Sequence, residues 1–73
     1  MFRQIGANVV YYRSLRGMKQ KELAERVSVN PDTLGKIERG CYNKNIPVVM
    51  LARIAEGLGI DLYKLFVFEK DIR

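Results

Sequence analysis

Apolar residues recur at three- and four-residue steps along much of this chain, and the clearest stretch runs from Gln20 to Gly40. Between Gln20 and Val27, the residues Leu23, Ala24 and Val27 fall on one helical stripe. Ala24 is small enough to let a second helix cross closely. Ser28, Val29 and Asn30 then read as a turn, with Val29 as an apolar plug between two helices. Asn30 suits the N-cap of the next helix, and Pro31 suits its first position, where the missing N–H costs nothing. Leu34 and Ile37 face inward three residues apart, and Gly40 ends the helix. Two helices of about eight and nine residues on either side of a tight turn follow the helix-turn-helix plan.

The flanking segments carry the same period. Arg3 to Arg16 predicts a first helix, with Ile5, Val9 and Tyr12 as its core stripe, Val10 and Tyr11 beside it, and Gly17 as its stop. Met18 seats the second helix. Val48 to Leu58 predicts a fourth helix that starts at Pro47, buries Leu51, Ile54, Ala55 and Leu58, and ends around Gly57 and Gly59. Ile60 is a further core plug, and Asp61 is placed to cap a fifth helix from Leu62 to about Phe66. The expected fold is therefore all-α, with five helices in one domain spanning residues 1–73. Residues 66–73 form a tail. Leu65, Phe66, Val67 and Phe68 are consecutive apolar residues, more than one small face hides, so they read either as core or as a contact between two copies.

Composition narrows what such a domain can do. Seventy-three residues leave no room for an enzyme-sized cleft, and a core this small gains from oligomerisation. Thirteen basic against eight acidic residues give a net charge of +5 and a pI near 9.7, which favours a polyanionic partner. With no histidine and one cysteine, the chain excludes an internal disulfide, an ordinary zinc site and a nucleophile–base pair. No cofactor or metal is expected. Cys41 reads as a bystander, because a redox switch would need a thiol from another subunit. No apolar run is long enough to span a bilayer and no signal-peptide pattern appears, so the expected setting is the cytoplasm.

The order Gln20, then Glu22, Leu23, Ala24, then Val27, Ser28, Val29, then Ile37, Glu38, Arg39, Gly40 resembles the Cro/CI-type (Xre-type) helix-turn-helix regulators. The likeness runs from about Ile5 to Phe66 and implies a lambda-repressor-like domain, with the helix-turn-helix formed by helices 2 and 3. It implies an ion pair between Arg13 and Glu38, which would otherwise be two solvated charges. It also marks two departures. The family puts Ser or Thr where this chain has Lys19, so the capping box with Glu22 loses one half, about 1 kcal/mol. It puts glycine where this chain has Ser28, which would cost about 1–2 kcal/mol in a left-handed turn unless the turn differs.

The resemblance also assigns the nucleic-acid contacts. Pro31, Asp32 and Lys36 occupy the usual base-reading places in the major groove, with Thr33 and Gly35 beside them on the outward face. Lys36 suits guanine O6 and N7, Asp32 a cytosine amino group, and Thr33 a thymine methyl or a phosphate. Asp32 equally suits a bland role, stabilising the helix dipole. Gly35 costs about 1 kcal/mol in a helix and reads either as close approach to DNA or as drift. Phosphate contacts are expected from Lys19 and Gln20 at the start of the second helix. The loop residues Arg39, Tyr42, Asn43, Lys44 and Asn45 are expected to grip phosphates as well. Gln20 and the loop read alternatively as ordinary solvated surface. Family members often pair through the fifth helix, which here offers Tyr63, Phe66 and Phe68.

These features together imply a sequence-specific, double-stranded-DNA-binding transcriptional regulator. The expected form is a repressor that acts as a two-fold homodimer on a pseudo-palindromic operator, of bacterial or phage origin, without a small-molecule ligand. Two other classes stay open. One is a protein-binding module, such as an antitoxin or the partner of another regulator, for which Pro31 and Gly35 on the reading face would argue. The other is non-specific nucleic-acid binding from charge alone.

Overall fold

A computed structural model describes residues 2–42 and 45–67. Among them the chain forms four α-helices: α1 (Phe2–Leu15), α2 (Gln20–Val27), α3 (Pro31–Arg39) and α4 (Val48–Leu58). The expected fifth helix is instead a single 3-10 turn, Leu62–Phe66. Five residues are too few for a stable α-helical turn pattern, and Asp61 makes no side-chain cap bond. The segment closes by three-residue steps, Lys64 N–H donating to the Asp61 carbonyl at 3.0 Å. α1 lies one residue earlier than its pattern suggested, and Gly17 beyond it adopts φ +68°.

The core gathers one stripe from every element. Ile5 and Val9 of α1, Leu23 and Ala24 of α2, Leu34 and Ile37 of α3, Ile54 and Leu58 of α4, and Leu65 of the 3-10 turn are all sealed from solvent. Val29 fills the corner between α2 and α3, as a turn plug should. Tyr12, Met18, Ile60 and Leu62 pack against this cluster from its rim.

α1 crosses α3 at Gly6, a contact that the apolar period of α1 does not announce. A Cβ at Gly6 would collide with the Ile37 carbonyl oxygen and lie 2.6 Å from that of Glu38. These are backbone atoms at the end of α3, so they cannot step aside. α1 therefore fixes the position of α3 from behind.

Two polar side chains, Asn8 within α1 and Arg16 just after it, close the other end. Arg16 Nε donates to the Leu58 carbonyl at 2.7 Å, placing a cation on the negative C-terminal end of α4. Asn8 Nδ2 donates to the carbonyls of Leu65 (2.9 Å) and Val67 (3.0 Å), which ties the chain's last described residues to α1.

Candidate nucleic-acid interface

The turn between α2 and α3 sets the angle of the outer helix, and it is built tightly. Ser28 sits at φ +59° and ψ +41°, the left-handed region that the glycine preference anticipates. The chain pays for this conformation without the residue best suited to it. In return the Val29 N–H reaches the Ala24 carbonyl at 2.9 Å and satisfies the end of α2. Two residues on, Asn30 Oδ1 accepts from the Asp32 N–H at 2.7 Å and starts α3. At its far end Gly40 adopts φ +72°, and the Cys41 N–H returns to the Lys36 carbonyl at 2.8 Å.

α3 is thus fixed at both ends, with Leu34 and Ile37 inward. Its outer surface presents Pro31, Asp32, Lys36 and Arg39 to solvent, and Thr33 is half-buried at the edge beside Val29 and Asn30. Gly35 is not on that outer surface. Each helical residue turns by about 100°, which swings residue 35 away from Lys36 and towards α2. There it lies buried under the side chains of Gln20 and Arg39.

The start of α2 borders the same surface. Lys19 is exposed and its side chain makes no cap bond, but the Glu22 carboxylate accepts the Lys19 N–H at 2.8 Å. Half of the capping box therefore survives without its usual first residue. Gln20 is less free than an exposed first-turn residue. Its Nε2 donates to Glu38 Oε1 at 2.9 Å. Glu38 also receives Arg13 Nε at 2.8 Å and Arg13 Nη2 at 3.1 Å, and Arg13 Nη1 reaches the Met18 carbonyl at 3.0 Å. This network connects α1, α2, α3 and the α1–α2 connection behind the outer face. Gln20's role in it was not legible from the chain, because residues 18 apart carry no local pattern.

The remaining expected contacts scatter. Asn45 is exposed, whereas Tyr42 packs its ring partly against the core, so it is only in part a loop donor. Asn43 and Lys44 lie outside the described residues. Cys41 is exposed. Tyr63 is 61% exposed and Phe66 39%, and Phe68 lies outside the described residues. Among the described residues, no three His, Cys, Asp or Glu side chains gather as a metal site. None of the helices described is long and apolar enough to cross a membrane.

The helix-turn-helix family pattern matches residues 11–65. An uncharacterized HTH-type transcriptional regulator of Methanocaldococcus jannaschii is 31% identical over 61 residues, covering 84% of this chain and 89% of its own. The restriction-modification controller protein C.AhdI from Aeromonas hydrophila superposes with a TM-score of 0.82 at 26% identity, over 89% of this chain and 96% of its own. The clp gene regulator ClgR from Corynebacterium glutamicum does so with a TM-score of 0.81 at 29% identity, over 89% and 67%. The sequence relatives are archaeal, so they lend no support to a bacterial or phage origin.

Proposed function

The chain belongs to the helix-turn-helix family of the Cro/CI (Xre) type and is a DNA-binding transcription regulator, and from that premise we propose that it is a repressor binding a pseudo-palindromic operator as a two-fold homodimer. The observation that supports this most is the fixed outer face of α3. Asn30 and Gly40 hold its ends, Gly6 backs it, and Asp32 and Lys36 stand free. In this reading α3 enters the major groove. Lys36 bonds guanine, Asp32 takes a cytosine amino group, and Pro31 and Thr33 make apolar contact with thymine methyls. Lys19, Gln20, Arg39, Tyr42, Asn43, Lys44 and Asn45 supply backbone contacts, which carry most of the affinity. Gly35 is withdrawn from the base contacts.

Tyr63 and Phe66, with Phe68 after them, join the two subunits. A two-fold dimer sets its recognition helices about 34 Å apart, into successive major grooves. Repression follows from covering a promoter, and a cytoplasmic setting goes with it. The protein-binding alternative takes its support from Val48 and Val49, 65% and 67% exposed at the start of α4.

Selection from a random duplex library at near-physiological salt tests the reading. A two-fold symmetric motif with half-sites about one helical turn apart is the expected result. A lone half-site would remove the dimer. A folded protein that enriches no sequence would overturn specific DNA recognition and favour a protein partner.

A further inference from the structure

Gly35 occupies a position in α3 where any side chain would meet two others. A Cβ built there lies 3.2 Å from Arg39 Nη1, 3.6 Å from Gln20 Oε1 and 3.7 Å from Gln20 Nε2. The guanidinium of Arg39 therefore folds back by one helical turn over the space the glycine leaves, a space that the amide of Gln20 also borders. Arg39 could as easily have extended into solvent, since it is the last residue of the helix and exposed.

The two groups differ in how they are held. Gln20 is fixed from behind, because its Nε2 is already committed to the Glu38 carboxylate at 2.9 Å. The Arg39 guanidinium has no hydrogen-bonded partner among the described residues, although Glu38 beside it in sequence is fully engaged by Arg13 and Gln20. A planar cation with five donors is thus parked over a backbone gap, next to the first turn of α2 and its unpaired N–H groups.

We propose that Gly35 is a positioning residue: its missing side chain seats the Arg39 guanidinium beside Gln20, so that both close on one phosphate of the DNA backbone. The inference rests on the DNA-binding reading above, and adds to it that the two contacts form one cradle whose width residue 35 sets. It also accounts for a glycine that weakens the helix. The conformational cost of glycine is accepted where the guanidinium needs the space.

The test uses Gly35→Ala, Gly35→Leu and Arg39→Ala in the full chain. Each is measured for thermal unfolding and for binding to the duplex selected above and to an unrelated duplex, across a salt series. Gly35→Ala improves helix propensity and displaces only the end of a flexible side chain, so it should melt higher than the parent by about 5 °C, whereas Gly35→Leu sets the same gain against crowding of Gln20 and its melt checks that it is folded. Gly35→Ala asks the guanidinium to move only by a few tenths of an ångström, so its affinity should fall by roughly twofold. Gly35→Leu fills the seat and should weaken both duplexes by about tenfold, with the salt slope reduced by about one unit. Combined with Arg39→Ala, Gly35→Leu should cost nothing further.

Three results would overturn the proposal. They are Gly35→Leu binding as tightly as the parent, Gly35→Leu weakening binding equally in the Arg39→Ala background, and Gly35→Leu weakening only the selected duplex, which would make Arg39 a base reader. Failure of the parent protein to bind either duplex is a different outcome, since it removes the DNA-binding reading itself. Should Gly35→Leu fail to fold, Arg39→Ala decides alone: unchanged affinity and slope would overturn the cradle.

Discussion

Arg13 grips Glu38 with two nitrogens, Nε to Oε2 at 2.8 Å and Nη2 to Oε1 at 3.1 Å. The two side chains are only 17% and 4% exposed, so water screens them little. Glu38 lies in the last turn of α3 and Arg13 in the last turn of α1. The pair therefore ties the DNA-facing element to the scaffold behind it. Removing one partner strands the other charge, and Glu38→Ala should cost about 3 kcal/mol in denaturant unfolding. Replacing both, as Arg13→Met with Glu38→Leu, should cost less than the single change. An unfolding midpoint unmoved by Glu38→Ala would mean the charges are solvated separately.

The crossing of α1 over α3 depends on a missing methyl group. A Cβ at Gly6 meets carbonyl oxygens of Ile37 and Glu38, both backbone, so α1 has to lift. Gly6→Ala should destabilise the domain by about 3 kcal/mol despite improving the propensity of α1. Its DNA affinity should fall further than its folded fraction explains, because α3 loses its backing. Comparing titratable binding sites with the folded fraction by circular dichroism separates the two. Wild-type stability for Gly6→Ala would show that the helices are free to slide.

Ser28 carries a cost the chain could shed. At φ +59° an L-residue is strained by about 1–2 kcal/mol, and glycine is not. Ser28→Gly should raise stability, by about 1 kcal/mol after the extra entropy of the unfolded glycine is subtracted. DNA affinity should stay within twofold, since the turn's path is unchanged. A melting temperature that falls would mean the serine side chain holds something the backbone geometry does not reveal.

Each of these three sites was visible in the sequence to a different depth. Ser28 was legible through the resemblance, because the family's glycine at that place implies a left-handed residue in the turn. Asn30, Pro31 and Gly40 were legible from local capping preferences, and α2, α3 and α4 fell where period and turn residues place them. The Arg13–Glu38 contact came from likeness to a family and not from period or spacing. Gly6 was silent. An unremarkable glycine within a helical pattern acquires its meaning only from what crosses it, and that is a tertiary fact. Gly35 failed in the opposite way: it drew attention, but counting around the helix put it on the outer face when it lies a step towards α2. The fifth helix was overread because Asp61 and an apolar run suggest a helix of any length, while five residues close more cheaply as a 3-10 turn.

The proposed dimer can be broken without touching the core. Tyr63 is 61% exposed, so Tyr63→Glu should leave monomer stability within about 0.5 kcal/mol. Sedimentation velocity should show the parent as a dimer and the variant as a monomer. Affinity for a two-half-site duplex should fall sharply, while affinity for a single half-site should hold. A parent that sediments as a monomer at every concentration tested removes this interface.

Lys36 decides whether α3 reads sequence. It stands exposed near the middle of the outer face, one helical turn beyond Asp32, where a base edge rather than a phosphate faces a helix lying in the major groove. Lys36→Ala should therefore lose about 1–3 kcal/mol on the best site and relax the preference at a single base step. Lys44→Ala supplies the contrast, since a loop lysine on a phosphate should weaken every duplex alike and lower the salt slope by about one unit. Each variant removes one positive charge from the same protein, so net charge cannot produce different patterns between them. If Lys36→Ala weakens all duplexes equally, Lys36 is a phosphate contact too, and discrimination must then rest with Asp32, Pro31 and Thr33.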